Sequence, residues 1–477
     1  MLCATISGPS FFEAKQQLLH SLPFVDSIEL RIDCLLSLSS DQLKHLVCLA
    51  KKPILTLRRH ASLSEIAWVE RTMELAKLQP DYLDIDKDFP KEALRKIRNQ
   101  YPNIKIILSY HSQTSEHVPT LYNEMLKQQA HHYKIAITST KSVDALRLIQ
   151  IKKHLPENTT VLCMGNEGIA SRILSPLMKN AINYASGIHA PKVAPGQLSI
   201  EDLLAYNYAN LSSEARIYGL IGNPIDRSIS HLSHNKLFSE LHMKTSYIKI
   251  LLSSADLKEF FSLTRDLPFG GLSVTMPFKT DVLDYIDVFD PSVKHCQSCN
   301  TLVFNKNKIT GHNTDGLGLL NLLKRKNIAV HNTHVGIVGS GGAAKAIATT
   351  FAYSGACISI FNRTEENGKK LAELCNGNAF PLSSLSEKHA IDILILCLPP
   401  HVKIPEIFPP VVIDINTLPK ESPYTRKAKA QGCHVLYGYE MFAEQALLQF
   451  SLWFPRSLSQ DDSERFRINV ENIVNTM

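Results

Sequence analysis

Residues Thr333–Thr364 read THVGIVGSGGAAKAIATTFAYSGACISIFNRT. A β-type apolar run, a glycine-rich turn, an alanine-rich helical stretch and a second β-type run follow one another without interruption. That order is the sequence form of a dinucleotide-binding βαβ unit. Gly339 permits the tight turn, Gly341 lets the backbone approach a pyrophosphate, and Gly342 adds slack, while Ala344 takes the helix-packing place. With Ser340 and Ala343 the loop opens a helix whose free N–H groups and positive dipole end suit phosphates. Where an NAD site carries Asp or Glu for the ribose 2′-hydroxyl, this chain has Asn362, Arg363 and Thr364. An arginine with hydroxyl donors and no carboxylate suits a 2′-phosphate, so NADP(H) is the expected cofactor.

Toward the N-terminus the pattern becomes a repeat. Strand-like runs begin at Leu2 (LCATIS), Ser27 (SIELRID), Pro53 (PILTLR), Asp81 (DYLDID), Lys105 (KIILSYH), His132 (HYKIAIT), Thr159 (TTVLCMG) and Gly187 (GIHAPK). They recur roughly every 25 residues, and most are separated by stretches with helical periodicity such as KEALRKIRNQ and SVDALRLIQIKKH. Parallel strands joined by crossover helices form an open doubly wound sheet or a closed barrel, and eight repeats fit a (β/α)8 barrel over residues 1–212. Barrel enzymes place their chemistry at the carboxyl ends of strands, where this chain carries Glu29, Arg31, Arg58, Asp84, Asp86 and His111. Lys134 lies inside the apolar run YKIAI, where desolvation would favour the neutral amine and let it attack a ketone.

The stretches IELRID, TLR, SYH, YKIAI, GIASR and APGQ, in this order, resemble the type I 3-dehydroquinate dehydratases. The resemblance implies a Schiff base between Lys134 and the substrate ketone, with His111 moving the C2 proton and protonating the departing hydroxyl. It assigns Glu29, Arg31, Arg58, Arg172 and Gln197 to the substrate carboxylate and hydroxyls. Two positions depart from the family. Ser62 stands where a glutamate follows the TLR arginine, and Val193 stands where a serine precedes APGQ. Altered binding or rate is expected from them.

The segment before the glycine loop resembles the substrate half of the shikimate dehydrogenases. NPIDRSIS supplies Ser228 and Ser230, GGLSVTMPFK supplies Thr275 and Lys279, SCNTLVF supplies Asn300 and GHNTDG supplies Asp315. GYEMFAEQALLQFSLW, near the C-terminus, adds Gln445. By this resemblance Lys279 and Asp315 form the catalytic pair. Ser228 and Ser230 bind the substrate carboxylate, and Thr275, Asn300 and Gln445 contact its hydroxyls. Ser273 and Thr417 replace the family's asparagine and tyrosine, and CLPP follows ILIL where small polar residues are usual. The expected architecture is α/β throughout: the barrel, a substrate-binding domain at 213–322, a Rossmann-like NADP domain at 323–432, and C-terminal helices at 433–477 that return to the substrate domain.

Composition agrees with small-molecule chemistry. The 477 residues carry a formal charge of +6 with no block of basic residues, which disfavours a nucleic-acid partner. No apolar run reaches the roughly 18 residues of a membrane helix. The opening MLCATISGPSFFEAK has neither a secretory nor a transit pattern, so a cytoplasmic, bacterial setting is expected. The ten cysteines mostly sit in apolar runs, as in a reduced compartment. Cys296 and Cys299, or His231 and His234, are too few for a metal site, and none is expected.

The resulting expectation is a two-step enzyme. It dehydrates dehydroquinate to dehydroshikimate and reduces that product to shikimate with NADPH. Oligomeric state is not readable. The rivals are an NAD-preferring quinate dehydrogenase, a fusion whose dehydratase half is weakened by Ser62 and Val193, and a catalytically silent quinate-responsive regulator.

Overall fold

The computed structural model describes residues 1–477 except 60–62, 113, 115–116, 307 and 387–389, so Ser62 lies outside the described residues. Two compact units emerge. One comprises Met1–Ala215, Leu241–Leu252 and Lys258–Leu267, and the other comprises Arg216–Glu240, Ser253–Leu257 and Pro268–Met477.

In the first unit eight strands alternate with helices: β1 (Leu2–Ile6), β2 (Ser27–Arg31), β3 (Pro53–Thr56), β4 (Tyr82–Asp86), β5 (Lys105–Ser112), β6 (His132–Thr138), β7 (Thr159–Met164) and β8 (Asn183–Ser186). They form one parallel sheet in the order β7-β6-β5-β4-β3-β2-β1-β8. The outer edges meet where Thr160 Oγ1 donates to the Ile182 carbonyl at 3.1 Å and accepts from the Ile182 N–H at 3.0 Å. The barrel is thereby nearly closed.

Local sequence explains the helices between the strands. Ser10 and Ser39 begin the helices Phe11–Ser21 and Ser40–Leu49 with capping boxes, each hydroxyl accepting an otherwise unpaired backbone N–H. Ile6, Ile28 and Ile106 are fully buried. Burial of each such side chain contributes about 1.5–3 kcal/mol.

The eighth strand differs from the sequence reading. It is NYAS, Asn183–Ser186, and it ends where the expected run GIHAPK begins. Asn183 and Ser186 are polar yet buried, so hydropathy conceals the strand.

The second unit holds two sheets. In the first, β9 (Arg216–Gly222), β11 (Phe269–Val274), β13 (Thr301–Asn305), β14 (Lys308–His312) and β12 (Val288–Phe289) lie side by side in that order, mixing parallel and antiparallel pairs; β10 (Thr245–Leu251) is grouped with the first unit. The last six strands are β15 (His334–Val338), β16 (Cys357–Asn362), β17 (Asn378–Pro381), β18 (Ile393–Leu396), β19 (Val411–Asp414) and β20 (His434–Tyr437). They are all parallel, in the order β17-β16-β15-β18-β19-β20. Counted within the sheet this is 3-2-1-4-5-6, whose order reverses between β15 and β18 and opens a crevice at the strand carboxyl ends. The sixth strand, His434–Tyr437, lies wholly beyond residue 432, where the sequence reading ends the nucleotide domain. Among the described residues no helix is long and apolar enough to cross a membrane.

Candidate active sites

Alternation along the barrel strands turns Thr5, Glu29, Thr56, Asp84, Ser109 and Lys134 toward a shared interior, and all six are buried. Lys134 Nζ stands 3.2 Å from Asp84 Oδ2 and 3.9 Å from Glu29 Oε1. The same Asp84 oxygen receives Arg58 Nη2 at 2.9 Å, and Arg58 Nη1 donates to Ser109 Oγ at 2.5 Å. Glu29 accepts from Thr5 Oγ1 and Thr56 Oγ1, each at 2.8 Å. Gln197 joins this group by donating to Thr5 Oγ1 at 3.3 Å, while its Oε1 accepts the Val193 backbone N–H at 2.8 Å.

The charges are arranged unevenly. Burial opposes ionisation of Asp84, but the Arg58 and Lys134 cations outweigh it and hold the carboxyl well below the usual range. Two carboxylates, those of Asp84 and Glu29, are the Lys134 amine's charged neighbours. His111, open to solvent near the end of β5, is pushed below its usual value by partial desolvation and by the Arg58 and Lys134 cations. Arg172 is 3% exposed, its Nε has no hydrogen-bond partner, and burial pulls its guanidinium down to about 10. Such a group calls for an anion or an acceptor. Arg31 turns instead to Asp33, with nitrogen–oxygen distances of 3.0 and 2.7 Å.

In the second unit a cleft of about 1520 Å³ is lined by Ser228, Ser230, Thr275, Lys279, Asn300, Asp315 and Gln445, together with Ser340–Ala343. Lys279 Nζ contacts Asp315 Oδ2 at 2.5 Å, and Asn300 Nδ2 donates to Asp315 Oδ1 at 2.7 Å. Asp315 is the first residue of the helix Asp315–Arg325. Thr314 Oγ1 links Asn300 to Gln445 at 3.0 and 3.2 Å. Ser228 Oγ and Ser230 Oγ lie 3.0 Å apart.

The glycine loop sits at the sheet's reversal point. Gly339 adopts φ +111°, a conformation that L side chains rarely adopt. Nothing lies within 4 Å of a Cβ built on Gly341, so the backbone there is open to a pyrophosphate. Gly342 is not slack: a Cβ there would stand 2.7 Å from Ser298 Oγ and 2.9 Å from Lys279 Cβ. Ala344 is fully buried in the sheet–helix core. Asn362 Nδ2 donates to the Thr364 carbonyl at 2.8 Å, closing the turn after β16 and leaving Arg363 exposed; none of the three lines the cleft. The open loop, the helix start and this exposed cation together fit a dinucleotide bearing a 2′-phosphate.

Asp84 is among the strand-end residues the sequence singles out, but nothing in the sequence shows that it joins Lys134 to Arg58. Other residues escape the sequence reading. Tyr184, whose ring centroid lies 3.6 Å from Lys134 Nζ, belongs to the strand that hydropathy conceals. Gln449 bridges Ser273 Oγ at 2.9 Å and Thr301 Oγ1 at 2.8 Å, supporting the strand that precedes Lys279 and the one that follows Asn300. Its four-residue spacing from Gln445 was the available signal.

The type I 3-dehydroquinase family matches residues 2–211, the shikimate dehydrogenase substrate binding domain matches 220–302, and the shikimate / quinate 5-dehydrogenase family matches 321–403. The shikimate biosynthesis protein AroDE of Chlamydia pneumoniae is 53% identical over 474 residues, which is 99% of each chain. The chain belongs to the AroDE family of shikimate biosynthesis proteins. This AroDE-family chain is also 28% identical to the chloroplastic bifunctional 3-dehydroquinate dehydratase/shikimate dehydrogenase of Arabidopsis thaliana, over 79% of this chain and 68% of that one. A shikimate dehydrogenase solved in complex with NADP+ aligns with a TM-score of 0.51 and 25% identity, covering 55% of this chain and 97% of its own.

Proposed function

We propose that the barrel, at about residues 1–212, dehydrates 3-dehydroquinate through an imine on Lys134. The remainder then reduces the resulting 3-dehydroshikimate to shikimate with NADPH. The chain is a bifunctional lyase and oxidoreductase of the shikimate pathway. The observation that carries the first step is a lysine amine buried among Asp84, Glu29 and Arg58 inside the barrel. After losing a proton, Lys134 attacks the ketone carbon, and the carbonyl oxygen departs as water. His111, held toward its neutral form, takes the C2 proton. The enamine then expels the neighbouring hydroxyl, which His111 protonates, and a water molecule hydrolyses the imine. Arg58 and Arg172 hold the substrate carboxylate and hydroxyls, with Arg31, Gln197 and Glu29 around them.

In the second site, 213–322 and the helices after 433 grip the substrate. Ser228 and Ser230 take the carboxylate, and Thr275, Asn300 and Gln445 take the ring hydroxyls. Ser340–Ala343 and Arg363 hold the phosphates of NADP(H), which supplies the hydride. The Lys279–Asp315 pair delivers the proton to the carbonyl oxygen as the ketone is reduced, and Asn300 keeps Asp315 turned toward Lys279. Small polar acids are the partners, and the cytoplasm is the compartment this chemistry suits.

The test is NADPH oxidation by the purified chain with dehydroquinate as sole substrate. Oxidation requires both halves in series. Silence that only dehydroshikimate relieves would retire the lyase reading, and continued silence would favour a regulatory protein.

A further inference from the structure

Lys134 has a second neighbour besides its carboxylates. Its Nζ lies 3.6 Å from the centroid of the Tyr184 ring, on the face of the ring. Tyr184 belongs to β8, pairs in register with Cys3 of β1, and is 4% exposed. Its hydroxyl has no hydrogen-bond partner, and burial with the Asp84 and Glu29 charges pushes the phenol well above its usual value, so it remains neutral. The ring face, not the hydroxyl, is what this residue presents to the amine.

We propose that Tyr184 is a positioning residue of the lyase site: its ring, together with Asp84, clamps the Lys134 amine at the point where it meets the ketone. The inference rests on the reading of Lys134 as the imine-forming group. A lysine stem has several rotatable bonds, and fixing its end before reaction removes an orientational cost that would otherwise appear in the barrier. Asp84 restrains the nitrogen from one side through a charged hydrogen bond, and the aromatic face restrains it by cation–π attraction. Once the amine has added to the ketone and water has left, the planar iminium nitrogen is still positive and keeps the same neighbour.

The experiment compares Tyr184→Phe with Tyr184→Leu in the full chain. It measures kcat and KM for dehydroquinate, the single-turnover rate of borohydride-trapped adduct at Lys134, the final adduct yield per chain as a check that the barrel is folded, and shikimate oxidation as a check on the second unit. Tyr184→Phe should remain within about twofold of the parent in every quantity. Tyr184→Leu should lose about tenfold in kcat and in trapping rate, with KM nearly unchanged and shikimate oxidation intact. Should the leucine variant fail to fold, Tyr184→Met fills the volume without a ring face and takes its place. Parent-like kcat and trapping in the leucine or methionine variant overturn the proposal. An equal fall in Tyr184→Phe also overturns it, because that would place the effect in the hydroxyl. A parent that oxidises shikimate but forms no adduct overturns the imine reading itself, an outcome distinct from either.

Discussion

Lys279 Nζ and Asp315 Oδ2 are 2.5 Å apart, although one follows β11 and the other opens a helix 36 residues later in the chain. Both are largely withdrawn from solvent, with side-chain exposures of 16% and 8%. The pair therefore works in a medium where charge–charge interaction is stronger than in water. Replacing Lys279 by Met should lower dehydroshikimate reduction by about 10²–10⁴-fold, the usual contribution of a positioned proton donor. Dehydration of dehydroquinate by the same preparation should be unchanged. A variant that keeps more than a tenth of the parental reduction rate would remove Lys279 from the reaction.

For the lyase half, the pH profile follows from His111. Desolvation and the Arg58 and Lys134 cations disfavour its protonated form. Its titration therefore shifts to the acid side of the ordinary histidine value, about 6.5. The acid limb of kcat/KM for dehydroquinate should lie below that pH. His111→Asn should retain adduct trapping at Lys134 while losing about 10²–10⁴-fold in turnover. A limb at or above 6.5 that survives in the variant would assign the proton transfer elsewhere.

Asp84 should couple stability to acid. Its carboxyl is held below the unfolded value of about 3.9, so its stabilising contribution is complete above that pH and is lost as the pH falls further. Asp84→Asn leaves Arg58 and Lys134 without their shared partner, at a cost of about 3–5 kcal/mol for a buried ion pair broken on one side. The difference in urea midpoint between parent and variant should be wide at pH 7 and narrower at pH 3. Equal differences at both would show that the carboxylate charge is not what matters.

Gly342→Ala tests the packing of the nucleotide loop on the catalytic lysine. The added Cβ would come within 2.9 Å of Lys279 Cβ, which is bound to the backbone and has little freedom to retreat. The expected result is a fall of about tenfold or more in dehydroshikimate reduction, of the size that a small misplacement of catalytic groups produces. Gly341→Ala meets nothing within 4 Å and should fold with the parental midpoint. If Gly342→Ala reduces dehydroshikimate at the parental rate, the loop and Lys279 do not constrain each other.

Two patterns are legible in the sequence alone. Apolar runs every 25 residues or so announce repeated β–α units. The glycine turn between two β-type runs likewise announces a nucleotide fold, because only certain residues tolerate its backbone and its close approaches. Gly339, at φ +111°, shows that local constraint directly. The eighth barrel strand was not legible: NYAS combines polar side chains with full burial, and hydropathy registers composition, not partners. Gly342 was misread for a related reason. The atoms that require a glycine there belong to Lys279 and Ser298, far away in sequence.

Local chemistry therefore determined which residues this chain could use: Lys134 in an apolar strand, His111 at a strand end, Lys279 and Asp315 in polar loops, and an arginine in place of an acidic residue after β16. Residue types and short spacings carry that information, since strand alternation and turn stereochemistry act over a few residues. Which of them meet was decided only in three dimensions. The sharing of one Asp84 oxygen between Lys134 and Arg58 and the ring of Tyr184 beside the amine both depend on how the barrel strands come together. Distances of a few ångströms between strands separated by 25 or more residues govern charge and orientation, and no local pattern encodes them.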